Sequence, residues 1–111
     1  MAYDQSLADR IHELVADERD LTQKKMFGGL AFLVGGNVAV AASGQGGAMV
    51  RVDPAQSESL ITVPGVALVE MRGRLMPGWI RVDSENLGNE EELAMWVSIG
   101  VAFARSLPAK Q

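Results

Sequence analysis

Apolar residues recur along this chain with two different periods. Leu7, Ile11, Leu14 and Val15 stand at i, i+4, i+7 and i+8, one stripe of a helix running from Asp4 to about Glu18. Asp9, Glu13 and Asp17 take its wet side, and a short side-chain oxygen from Asp4 or Ser6 caps its first turn. From Thr22 the pattern changes to runs of strand length: Thr22–Phe27, Leu30–Val34, Val38–Ala42 and Ala48–Val52. Gly28-Gly29, Gly35-Gly36-Asn37 and Ser43-Gly44-Gln45-Gly46-Gly47 separate them. Glycine and asparagine between apolar runs predict hairpins, because the favoured tight turns need φ > 0. The first pair, Gly28-Gly29, predicts a bulge or sharp bend, with Phe27 and Phe32 anchoring segments on either side of it. The other reading of that pair is a ligand lying against bare backbone.

Asp53-Pro54 opens a short second helix, with Asp as cap and Pro at the first helical position, where its missing amide costs nothing. That helix ends before Pro64-Gly65. Val66–Met71 is the next strand, Arg72–Gly78 a connection marked by glycine and proline, and Trp79–Val82 the returning partner. After a loop from Asp83 to Gly88, Asn89 caps the last helix. Glu90, Glu91 and Glu92 occupy its first turn, where the helix dipole favours negative charge. Leu93, Trp96, Val97, Gly100, Val101 and Ala104 make its apolar stripe, and Met95, Ile99 and Phe103 widen it. The surplus fits either a homodimer interface or a deeply buried helix.

The predicted architecture is α+β: an antiparallel sheet with helices on one side, in the order helix, three or four strands, helix, two strands, helix. The 111 residues read as a single domain, residues 1–111. No apolar run approaches the length of a membrane span, no secretory leader pattern opens the chain, and a cytoplasmic protein is expected.

Composition narrows the chemistry. Cysteine is absent, which removes disulfides, thiolate metal sites and cysteine nucleophiles. One histidine, His12, has no partner that the sequence identifies for base catalysis, and it reads as a partly exposed helix residue. Gly44-Gln45-Gly46-Gly47 resembles a dinucleotide loop, but Met49 stands where a further glycine belongs, and a strand follows where a helix is needed. Three consecutive glutamates splay around a helix instead of converging on a metal. The expectation is therefore a non-enzyme with no catalytic residue, no metal and no cofactor.

Charge adds a candidate surface. The net charge of −4 is unevenly spread. Residues 1–20 hold two arginines against six carboxylates, and residues 83–111 hold Arg105 and Lys110 against five. Residues 21–82 hold Lys24, Lys25, Arg51, Arg72, Arg74 and Arg81 against Asp53, Glu58 and Glu70. An acidic whole argues against general affinity for nucleic acid, which requires several phosphates to be neutralised together. Alternation predicts that Met49, Arg51, Glu70, Arg72, Trp79 and Arg81 share the outward sheet face. A tryptophan among arginines and a methionine has the composition of a binding surface. The candidate partner-binding residues are Lys24, Lys25, Arg51, Arg72, Arg74, Trp79 and Arg81, and the glycine motif Met26-Phe27-Gly28-Gly29 is given a structural role.

Lys24-Lys25-Met26-Phe27-Gly28-Gly29, with Met71-Arg72-Gly73-Arg74 and Gly78-Trp79 further on, resembles the TfoX N-terminal domain family, the first domain of bacterial competence regulators. The resemblance covers nearly the whole chain. It implies the same element order and a fold like that of secretion chaperones. It also implies a transcriptional co-activator working with a cyclic-AMP-responsive activator protein. Regulators of this family usually carry a second, helical C-terminal domain, and these 111 residues read as the N-terminal domain alone. The functional expectation is a non-catalytic regulatory module that binds a protein partner, with transcription machinery as one candidate, without direct specific DNA binding or membrane contact. The alternative is a small-ligand or anion-binding domain that uses the basic glycine-rich turns.

Overall fold

The computed structural model describes residues 4–26, 28–44 and 46–108. Phe27 of the glycine motif and Gln45 lie outside the described residues. The elements follow the order α1 (Gln5–Val15), β1 (Leu21–Met26), β2 (Gly29–Val34), β3 (Asn37–Ala42), β4 (Ala48–Arg51), α2 (Pro54–Leu60), β5 (Val66–Met71), β6 (Arg74–Val82), a 3-10 turn (Ser84–Leu87) and α3 (Glu90–Ser106). The three expected caps form. Asp4 accepts from the Leu7 amide at 3.2 Å, Asp53 from the Ala55 amide at 2.9 Å, and Asn89 from the Glu91 amide at 2.7 Å. α1 stops at Val15 instead of near Glu18, because no apolar residue continues the stripe through Asp17-Glu18-Arg19-Asp20. Asp20 then turns the chain with φ +56°.

All six strands form one antiparallel sheet in the order β1-β2-β3-β4-β6-β5. β6 inserts between β4 and β5, which leaves β1 and β5 as the two edges. Gly35-Gly36 joins β2 to β3 with φ values of +61° and +82°, the left-handed pair that a two-residue hairpin turn needs. Arg72-Gly73 does the same between β5 and β6, with φ +53° and +78°. The expected Arg72–Gly78 connection is thus only two residues long. Strand pairing resumes at Arg74, and Pro77-Gly78 lies in the irregularity where the β5–β6 register shifts between Leu68 and Val69. Proline gives up a ladder hydrogen bond and glycine adopts φ +88°, which together accommodate the break.

The helices cover one face of the sheet. Leu7, Ile11 and Val15 of α1 and Leu93, Trp96 and Val97 of α3 join Phe32, Val40, Val50, Val52, Ile80 and Val82 in the main core. Leu60 and Ile61 pack against it from the end of α2. Two ion pairs tie α1 and the turn that follows it to α3, Arg10 to Glu90 at 2.6 Å and Glu18 to Arg105 at 2.5 Å. At Gly100 the helix comes down onto the sheet so closely that a Cβ would overlap the carbonyl oxygen of Ala39. Ala39 lies at a bulge, where the β2–β3 register shifts between Phe32 and Leu33. The shift puts Val40 in the main core and Val38 on the opposite face, although simple alternation places them together.

That opposite face carries a second, smaller cluster. Ala31, Val38, Ala41, Met49 and Val69 are buried there, with Met26, Leu33, Met71 and Trp79 packed against them. β3 is consequently buried at all six positions. Met49, expected to be exposed, is only 4% exposed. Alternation assigned its face correctly, but it cannot report that neighbouring side chains fill that face.

Candidate interaction surface

The strand order decides which basic residues become neighbours. Across the β4–β6 ladder Met49 faces Arg81 and Arg51 faces Trp79, while on the far side of β6 Arg81 faces Ala67. Arg51 is half-buried at the end of β4, and its guanidinium carbon lies 5.1 Å from the centroid of the Trp79 ring and 5.7 Å from that of Phe103. A guanidinium is planar and less strongly hydrated than an ammonium, so it stacks on rings without losing all its donors. Among the described residues, the Arg51 guanidinium has these two aromatic contacts and neither a hydrogen bond nor an ion pair. By spacing Phe103 belongs with the surplus apolar residues of α3. The surplus divides in the fold: Ile99 packs on the main core, Phe103 serves Arg51, and Met95 remains 47% exposed. Nothing in the linear spacing links residue 51 to residue 103.

Trp79 and Arg81 are half-buried, and each has a further partner in the structure. Arg81 borders a polar hollow of about 190 Å³ with Gly46, Gly47, Asp83, Ser84 and Glu85. Two carboxylates in that lining oppose an anion, and the volume falls below the roughly 300–1,000 Å³ usual for a ligand pocket. Arg72 and Arg74 are exposed at and beside the tip of the β5–β6 hairpin. These residues line one half of the sheet.

Lys24 and Lys25 do not join them. They lie on β1, at the opposite edge, and are exposed. Four strand spacings separate β1 from β6, roughly 19 Å along a flat sheet. The two lysines also part from each other. Lys24 pairs with Ala31 of the second cluster's face, whereas Lys25 pairs with Leu30, which packs on the main core. The linear run of basic residues is therefore two surfaces in space.

The two glycines of the Met26–Gly29 stretch make close backbone approaches. Gly28 has φ +71°, and a Cβ on Gly29 would overlap the carbonyl oxygen of Ala42 and come within 3.0 Å of the Gly44 amide nitrogen. A Cβ on Gly44 would in turn overlap the carbonyl oxygen of Gly28. Two turns, one after β1 and one after β3, thus meet backbone to backbone. Met26, half-buried, packs on the second cluster beside them. His12 is exposed, with its ring centroid 6.2 Å from that of Phe32. Among the described residues no group of three or more potential metal ligands converges, and no helix is long and apolar enough to cross a membrane.

A six-stranded antiparallel sheet with helices on one face places the chain in the α+β class. Within that class it belongs to the TfoX N-terminal domain family, whose model matches residues 13–104. No curated protein and no solved structure matches the chain significantly.

Proposed function

We propose that this chain is a non-catalytic regulatory module that binds another protein through the β4–β6 half of its sheet. Membership of a family of competence-regulator domains supports a regulatory role, and the cytoplasm and the transcription machinery are the natural setting for one. The observation that carries the reading is Arg51, held between Trp79 and Phe103 with its guanidinium making no hydrogen bond or ion pair among the described residues. Stacking restrains the side chain in advance, so less rotamer freedom is lost when a carboxylate arrives. Arg72 and Arg74 on the adjoining hairpin extend positive charge toward the same partner and speed its encounter.

Co-purification of the tagged protein from its own cell extract, followed by binding kinetics with the captured partner, tests this. Reversal of Arg72 and Arg74 to Glu is expected to slow association and flatten its salt dependence, while Arg51→Ala speeds dissociation. Unchanged kinetics in folded variants would remove the surface from consideration.

A further inference from the structure

The edge strand β1 is a separate feature that this surface does not use. Its four central residues, Thr22, Gln23, Lys24 and Lys25, are exposed, whereas β2 and β3 are largely buried. Its ladder with β2 runs without a break from Leu21–Val34 to Met26–Gly29. The other edge differs, because the β5–β6 ladder is interrupted by a register shift. A bulge bends a strand and spoils it as a template, whereas an unbroken edge offers a regular row of donors and acceptors.

The direction of those groups follows from one bond. The Gly35 amide donates to the Asp20 carbonyl at 3.1 Å, so residues 20 and 35 form a hydrogen-bonded pair. In an antiparallel ladder such pairs alternate, which turns the Thr22 and Lys24 backbone inward to β2 and the Leu21, Gln23 and Lys25 backbone outward. The open edge thus presents the N–H and C=O groups of Leu21, Gln23 and Lys25.

Lys24 and Lys25 extend from opposite faces at the middle of this edge, and among the described residues neither has an ion-pair partner. Lysines on an edge discourage pairing with basic or identical strands. Here they leave the hydrogen-bonding edge intact, so charge determines which strand is admitted. An added strand with two adjacent carboxylates would place one on each face, opposite the two ammonium groups.

We infer that β1 captures an extended acidic segment of a partner protein by β-strand addition, with the Leu21, Gln23 and Lys25 backbone supplying the ladder and Lys24 and Lys25 selecting a Glu-Glu or Asp-Glu pair. The inference rests on the reading of the chain as a protein-binding module and adds a second contact at the opposite edge of the sheet.

The test uses a short synthetic peptide of Val and Thr residues around a central Glu-Glu, with its Lys-Lys counterpart as control. Fluorescence anisotropy is expected to show saturable binding of the acidic peptide alone, about tenfold weaker or worse after Lys24→Glu/Lys25→Glu, which should admit the Lys-Lys peptide instead. Amide exchange is expected to slow at Leu21, Gln23 and Lys25. Gln23→Pro removes an outward donor that β2 does not use and should abolish binding in folded protein. Equal binding of both peptides, or protection located on β5–β6, overturns the inference. So does protection of β1 that rises with protein concentration alone, which would identify a second copy as the occupant. Trp79→Ala separates the two proposals: it should leave peptide binding intact while weakening the partner captured from extract.

Discussion

Arg51 and Trp79 are direct cross-strand partners on β4 and β6, and the guanidinium carbon of one lies 5.1 Å from the ring centroid of the other. The pairing links the end of the first four-stranded meander to the last hairpin. It also reaches the C-terminal helix, because Phe103 lies 5.7 Å from the same guanidinium carbon. Half-exposed cation–π contacts are worth about 0.5–1 kcal/mol. A double-mutant cycle of Arg51→Ala and Trp79→Ala in denaturant melts should return a coupling of about that size. Purely additive losses would show that the two side chains are neighbours without interacting.

The glycines should divide by mechanism. Gly73 has φ +78° and open space around it, so Gly73→Ala should cost about 1 kcal/mol from backbone conformation alone. Gly28→Val, at φ +71°, and Gly29→Val, against the Ala42 carbonyl, should each lose more than ~1 kcal/mol. Gly29→Ala should also exceed Gly73→Ala, because the atom it meets is rigid backbone. Thermal midpoints measured side by side give the ranking, and wild-type midpoints at both Gly28 and Gly29 would remove the turn-against-turn packing as an explanation of the motif.

Gly100 sets the distance between α3 and the sheet. An added methyl meets the Ala39 carbonyl and comes within 3.1 Å of a Val50 methyl, so α3 must lift or β3 must move. Gly100→Ala is expected to destabilise by about 1–3 kcal/mol even though alanine is the better helix former. A stabilised variant in urea melts would contradict the close approach.

Duplex DNA should not be a specific ligand. The net charge is −4, and Lys24 and Lys25 lie at one edge of the sheet while Arg72 and Arg74 lie at the hairpin of the other, instead of along one helix. Mobility shifts at physiological salt are expected to show no sequence-dependent complex. One that forms below micromolar concentration would reverse this view.

Much of the fold was legible because it was written in local chemistry. Asp4, Asp53 and Asn89 announced their helices through cap geometry, and Gly35-Gly36 announced its hairpin through the turn's need for positive φ. Long-range relations were not legible. That β6 lies between β4 and β5 depends on tertiary pairing, and this alone makes Arg51 a neighbour of Trp79. The bulge at Ala39, which sends Val38 and Val40 to opposite faces, leaves no mark in an alternating Val-Ala run. Lys24 and Arg72 fall in one basic stretch when charge is counted along residues 21–82, yet β1 and the β5–β6 hairpin are opposite ends of the sheet.

The pairing of α1 with α3 bears on the order in which the molecule is made. α1 is synthesised before the strands and α3, and the ion-pair partners of Arg10 within it and of Glu18 just beyond it follow 80 and 87 positions later. A helix of 11 residues is marginal by itself in water, so its apolar stripe waits uncovered while the strands form behind it. The local hairpins close early, whereas docking of the two helices closes nearly the full length of the chain and comes late. Chain released by a stop within α3 therefore loses the cover of β3 and the partner of α1 in one event, and it presents both to the cell's quality control.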